Sequence, residues 1–283
     1  MSVVTGAFGR LYEPGQPISL EGWTGLAPKL ARMDRLCGLA TVACSSALRD
    51  AALDPNDTSW CGDRTAIVFG SAYGCHATNE QYYRQLRAEG PSPRLFAYTL
   101  PSSPAGELSI QHRITGPVTT LTAGRTAGLD ALAEAQALID SGRADRAVCV
   151  AAEVGTPLLE SLLGIQTSDA AGAIILEKAE GARARGGPRR GRLLAYAKRF
   201  SSTGLEGAKR EAAAEVLDRA GLRNDAIRLT LDASSERSTL AALGAAPLIL
   251  AARFFAGPEI AYALLVSSDP EGDVAAAVLG GAS

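Results

Sequence analysis

Apolar and polar positions along the 283 residues change period several times, and each change marks an element. Met33, Leu36, Cys37, Ala40, Cys44, Ala47 and Leu48 recur every three or four residues, which predicts a helix over about residues 31–53 with one apolar face. Thr65 to Gly70 is instead a continuous β-branched run closed by glycine, the mark of a strand buried on both faces. Val118 to Thr122, Arg146 to Ala152 and Ala171 to Leu176 read as strands in the same way, and Ala127 to Ser141 reads as a helix. Residues 2–8 make a β-prone start, and a Pro/Gly-rich stretch runs from Pro14 to Pro28. A helix carries Glu80, Tyr83 and Leu86, and a Pro/Ser-rich loop spans Ser92 to Pro104. Strand, helix, strand in this order predicts an α/β fold with parallel pairing and crossover helices.

Between Lys178 and Arg192, glycine and arginine predominate, and the segment reads as a solvated connection rather than an RNA contact. Beyond it the order of elements repeats in miniature. Leu193 to Ala197 is a strand, Leu205 to Ala220 a helix, Ile227 to Asp232 a strand and Leu240 to Phe255 a helix, with closing strands at Ala261 to Ser267 and Val274 to Leu279. No sequence repeat is visible. The expectation is two related α/β halves, residues 1–180 and a shortened 190–283, that together make one domain.

Composition narrows the function. Hydrophobic residues make up 47% and charged residues 20%, so the chain is not disordered as a whole. Against 30 Asp+Glu stand 28 Lys+Arg, and a net charge of −2 gives no basic field for nucleic acid or an anionic membrane. Gly244 and Pro247 interrupt the longest apolar stretch, Ala241 to Ala252, which falls short of the ~18 residues needed to cross a bilayer. The first residues, MSVVTGAFGR, do not read as a signal peptide, and the expected location is the cytoplasm. Five cysteines, odd in number and without a C-x-x-C pair, read as reduced thiols. His76 and His112 have no metal-ligand spacing, so neither a metal nor another cofactor is expected.

Several segments taken in order resemble the β-ketoacyl synthases, the condensing enzymes of fatty acid and polyketide synthesis, which have a thiolase-like fold. They are Arg32-Met-Asp-Arg-Leu36 with Ala51-Ala-Leu-Asp-Pro55, Ile67-Val-Phe-Gly70, Pro104-Ala-Gly106 through Gly116-Pro117, Gly128-Leu-Asp-Ala-Leu132, and Asp169 to Glu177. Across residues 193–283 the resemblance thins to Ala263 to Ser267 and Gly272 to Leu279. It implies two related α/β halves with central mixed sheets and layered helices.

The family needs a cysteine thiolate at a helix N-terminus and two residues, usually histidines, that assist decarboxylation and polarise a carbonyl. Where the family has Thr-Ala-Cys-Ser-Ser, this chain has Thr122-Ala-Gly-Arg-Thr126, so Gly124 takes the nucleophile position. The histidine positions align with Ser234 and Ala245. A decoy, Ala43-Cys-Ser-Ser-Ala-Leu48, repeats the motif on the first helix, where spacing puts Cys44 on the apolar face. A loss of this kind resembles the chain-length factors, inactive subunits that pair with an active ketosynthase and help shape the acyl tunnel.

The resemblance therefore implies no catalytic residue, with Gly124, Ser234 and Ala245 as degenerate positions. It implies Thr120, Thr122, Gly124, Arg125 and Thr126 as tunnel or interface residues, and an active ketosynthase and an acyl carrier protein as partners. Arg125 either narrows the pocket or turns to solvent or to a carboxylate such as Asp130. Two other readings stay open. One is an acyltransferase or thioesterase using Cys75 or Ser234, and the other is a scaffold that docks the carrier protein.

Overall fold

The computed structural model of the chain describes residues 1–12, 30, 32–57, 59–164, 166–202, 204–233, 244–257 and 260–282. Strand β1 (Ser2–Tyr12) is followed by helix α1 (Arg35–Asp50), whose first turn is capped by Asp34, its carboxylate accepting the Cys37 N–H at 2.9 Å. Then come β2 (Thr65–Ser71), α2 (His76–Ala88), the single turn α3 (Pro93–Phe96), α4 (Ser103–His112) and β3 (Val118–Thr122). Helix α5 (Ala127–Asp140), β4 (Arg146–Glu153), α6 (Pro157–Leu163), β5 (Asp169–Lys178) and α7 (Ala179–Ala184) complete the first half. The second half runs β6 (Gly191–Phe200), α8 (Leu205–Ala220), β7 (Leu229–Asp232), α9 (Ala246–Ala256), β8 (Tyr262–Ser268) and β9 (Asp273–Gly281).

The nine strands hydrogen-bond in the order β3-β2-β4-β5-β1-β6-β9-β8-β7. Between β1 and β6 the only register pair is Val4 with Gly191, so two sheets meet at one bridge. In the first, β2 pairs parallel with β3 and β4, as the strand–helix–strand order predicts. β5, however, runs antiparallel to both β4 and β1. The connection, residues 154–168 with the seven-residue α6, turns back at the end where β4 finishes, so β5 enters beside β4 from that same end.

Alternation along the strands shows why their sequences are apolar throughout. On β2, Ile67 and Phe69 pack toward α1 and α4, while Ala66 and Val68 pack toward α5. On β4, Val148 and Val150 face the first group, and Ala147, Cys149 and Ala151 face the second. The second sheet repeats the pattern. Val274, Ala276 and Val278 of β9 meet Ala208, Ala212 and Val216 of α8, while Ala275, Ala277 and Leu279 point inward to α9. The resulting layers are α1/α4, first sheet, α5/α9, second sheet and α8. In the middle layer, Gly128 donates its N–H to the Gly244 carbonyl at 2.8 Å. A β-carbon at Gly128 would lie 2.7 Å from that oxygen, so only glycine lets α5 and α9 approach this closely.

Two expectations about loops are corrected. Ser92 to Pro104 is not all loop, since Ser92 caps α3 through the Leu95 N–H and α4 begins at Ser103. The Gly/Arg segment is not a free solvated connection either: it begins with α7 and then folds onto the core. Arg185 pairs with Glu177, whose second partner is Arg146, and also donates to the Ala51 carbonyl. Arg190 pairs with Asp50, and its N–H reaches the Val4 carbonyl at 2.8 Å. Long Arg side chains found fixed partners across the chain, which local composition does not reveal. The expected helix from Leu240 loses its first residues from view, because residues 240–243 lie outside the described residues.

Candidate functional site

The head of α5 lies where β3 delivers the chain. After Thr122 and Ala123, Gly124–Thr126 form one 3-10 turn that runs into the helix. Gly124 has φ +55°, in the left-handed region, and a β-carbon there would lie 3.1 Å from Cγ of Asp269 and closer still to its Oδ2. Asp269 belongs to the turn between β8 and β9, in the second half, and is 8% exposed. Its Oδ2 accepts the Arg125 N–H at 2.9 Å and its Oδ1 accepts the Glu271 N–H at 3.0 Å. Ser267, two residues earlier, donates its hydroxyl to the Arg125 carbonyl at 2.9 Å. Both polar groups of the Arg125 backbone are thus held by the second half, and a carboxylate sits on the positive end of α5.

The Arg125 side chain is half-buried and lies beside the Tyr73 hydroxyl, whose pKa is raised by burial against the opposing pull of that guanidinium. It does not pair with Asp130. That carboxylate is taken by Tyr196 Oη at 2.7 Å, Lys198 Nζ at 2.7 Å and the Thr126 hydroxyl at 3.0 Å. Beneath the turn, Glu153 ends β4 fully buried. It accepts from Ser71 Oγ at 3.0 Å and from the Ala72 N–H, with the Tyr73 and Gly244 N–H groups also turned to it. Burial pushes its carboxyl up to about 7, against the lowering effect of those donors.

Of the residues singled out from sequence, Gly124, Arg125 and Thr126 come together at this turn, and Ala245 is buried just ahead of α9 in the same middle layer. A β-carbon at the adjoining Gly244 would be 2.9 Å from the Gly124 carbonyl oxygen, which shows how closely the two helix heads meet. Ser234 lies outside the described residues. Thr120 and Thr122 stand on β3, which among the described residues pairs only with β2. Pro117 accepts the Ile67 N–H, and parallel alternation therefore turns the N–H and C=O of Thr120 away from β2 to the open side. Phe96, Leu100 and Ile110, in the chain that leads to β3, and Val118 on it are exposed apolar side chains.

The alternative nucleophiles are poorly placed for reaction. Cys44 is buried on α1, its thiol pKa raised by burial, with Sγ 3.7 Å from His112 Nε2. The His112 Nδ1 faces the Pro55 carbonyl at 3.2 Å, an acceptor that requires a proton on that nitrogen. Cys75 is buried, donates to the Thr99 carbonyl at 2.8 Å, and also has a raised thiol pKa from burial. Its neighbour His76 is turned to Thr156 at 3.3 Å and is lowered by burial. Sequence reasoning missed Asp269, Glu153 and the Cys44–His112 contact. Only Asp269 had a local signal, the Asp-Pro-Glu-Gly turn after a strand.

Comparison with known proteins gives a consistent picture. Residues 21–160 match the β-ketoacyl synthase N-terminal domain family. The chain is 35% identical over 140 residues to the tetracenomycin polyketide synthase ketoacyl synthase alpha subunit of Streptomyces glaucescens, which covers 46% of this chain and 32% of that one. It is 29% identical over 183 residues to 3-oxoacyl-[acyl-carrier-protein] synthase 2 of Staphylococcus aureus (strain N315), covering 55% and 44%. The chain thus spans less than half the length of these curated relatives. Among solved structures it superposes on the ishigamide ketosynthase/chain length factor with a TM-score of 0.83, at 21% identity over 100% of this chain and 99% of that chain. On the ketosynthase of a type II polyketide synthase complex with its acyl-carrier protein, AntDE:AntF, the TM-score is 0.76 at 17% identity, covering 99% of both chains. The fold is thiolase-like, with mixed strands between helical layers. Among the described residues no helix is long and apolar enough to cross a membrane.

Proposed function

Residues 21–160 of this chain match the β-ketoacyl synthase N-terminal domain family, and from that premise we propose that the chain is a non-catalytic ketosynthase-like subunit, a chain-length factor of a type II polyketide synthase. It pairs with an active ketosynthase, helps shape the tunnel for the growing acyl chain, meets an acyl carrier protein as part of that pair, and works in the cytoplasm. Its two halves act as one thiolase-like domain. The observation that carries this reading is the head of α5. Glycine stands there in place of a nucleophile, and the space a side chain would enter holds the Asp269 carboxylate. Ala245, at the aligned position of one histidine, is buried in the middle layer and has no group that could polarise a carbonyl.

Pairing is supported by β3. Its outward N–H and C=O groups are a template for a second strand, and the exposed Val118 on it and Ile110 on α4, which packs beside it, supply apolar surface. An interface of this obligate kind buries about 2,000 Å² or more. The acyltransferase reading draws little support from Cys75, whose thiol is buried and already donates to a carbonyl.

Two experiments test the proposal. Incubation of the chain with acyl thioesters should leave its intact mass unchanged, and an acyl adduct on any cysteine would refute the inactive assignment. Co-expression with the ketosynthase encoded nearest to it should give a complex on size exclusion. Thr120→Pro should abolish that complex while costing the chain itself roughly 1 kcal/mol or less, because the donor it removes faces outward. A stable monomer that ignores the ketosynthase would leave the carrier-protein scaffold as the better reading.

A further inference from the structure

We propose that Asp269 is a built-in occupant of the vacated nucleophile position, a carboxylate that locks the head of α5 shut and joins the two halves of the chain there. This deepens the reading above and rests on it for the identity of position 124. Three observations converge. The carboxylate fills the volume into which a side chain at Gly124 would project. Its oxygens accept from backbone N–H groups of two different elements, Arg125 at the head of α5 and Glu271 in the β8–β9 turn. The same turn is secured by Ser267 to the Arg125 carbonyl, and by the Asp269 N–H to the Asp273 carbonyl at 2.8 Å.

A helix N-terminus favours negative charge, and the Asp269 side chain accepts one N–H there and a second from its own turn. The chain has thus exchanged the family's thiolate for a carboxyl group brought from the second half. Two consequences follow for the same site. Glycine is required at 124 both by its φ of +55° and by the carboxylate beside it, so the loss of the nucleophile and the gain of Asp269 constrain each other. Restoring a thiol at 124 is then insufficient even for acylation, unless the carboxylate is removed as well.

The test uses the full chain. Asp269→Gly should lower the melting temperature by several degrees. Sodium formate should restore most of the loss by occupying the emptied anion site, where sodium chloride at equal ionic strength should not. Asp269→Asn, which fills the space, should gain nothing from formate, and Asp269→Ser replaces the glycine variant in the assay if that one does not fold. In the second arm, iodoacetamide labelling is followed by peptide mass. Gly124→Cys combined with Asp269→Gly should be alkylated at position 124, with loss of iodide, roughly tenfold faster than Gly124→Cys alone, since a thiol freed at a helix N-terminus ionises more readily. Equal labelling of the single and double variants, or equal effects of formate and chloride, would overturn the lock. Neither arm involves a ketosynthase, so a failed lock with a formed complex, or the reverse, separates this proposal from the pairing proposal.

Discussion

The two halves follow one plan with different completeness. β1, α1, β2, α5, β4 and β5 of the first correspond in order and sheet position to β6, α8, β7, α9, β8 and β9 of the second. The first half inserts α2, α3, α4 and β3 between β2 and the head of α5, over residues 72–123. The second has only residues 234–243 between Ala233 and Gly244, and among the described residues no strand corresponds to β3. The first half therefore carries a strand, β3, with one open side among the described residues. The second half instead supplies groups that meet the head of α5, Asp269 and Ser267.

The largest expected effect concerns the connection between the halves. Glu177, 1% exposed, is held by Arg146 and Arg185, and Glu177→Ala would leave two partly buried guanidinium groups without their shared anion. A loss of about 3–5 kcal/mol should appear in urea unfolding. Burial alone would raise the Glu177 carboxyl, but Arg185 and Arg146 outweigh it and hold the group below the usual glutamate range. The stabilisation is therefore present above the unfolded-state value and is lost as pH falls through the lower folded value. A Glu177→Ala variant as stable as the wild type at pH 7 would mean the Gly/Arg connection is not anchored there.

The outer layers give a second contrast. Leu48 of α1 and Val216 of α8 are both fully buried, but Leu48 lies in the larger cluster shared with α4. Leu48→Ala should cost about 2–5 kcal/mol and Val216→Ala roughly 1–2 kcal/mol, read from urea midpoints at constant slope. The reverse order would show that the shortened half is the better packed.

The smallest effect is conditional on pH. Glu153 receives N–H groups from the first half and from Gly244, and its folded pKa of about 7 lies above the unfolded value. Between those values the unfolded chain binds fewer protons, so stability falls as pH rises from about 4.3 to 7 and then levels. Glu153→Gln, which keeps the acceptor without the charge, should match the wild type at pH 5 and exceed it by on the order of 1–3 kcal/mol at pH 8. Identical pH profiles for the two proteins would contradict this.

Much of this architecture was legible in the sequence where the physics is local. Val118–Thr122 and Leu205–Ala220 have the bounds their periodicity predicts, and Cys44 lies on the apolar face that its spacing assigned. What escaped depends on partners distant in sequence. Arg190 reads as solvated because Asp50 is 140 residues away. Asp130 was one of the partners open to Arg125, yet it is claimed by Tyr196 and Lys198 from β6. At the head of α5 the glycine at position 124 was visible, but the carboxylate beside it was not, since Asp269 reads only as a turn residue.

The position of β1 has a consequence for synthesis. It is made well before its full partner, β5, with Ser2 opposite Lys178. At ~5–20 residues per second, translation leaves this β-prone segment without its ladder for roughly 10–30 s. Closing so long a loop is slow as well as late, because entropy is lost before the contacts form. The nascent chain thus presents an unpaired apolar strand through most of the synthesis of its first half, and its yield in a cell depends on what shields that strand as much as on the stability of the finished fold.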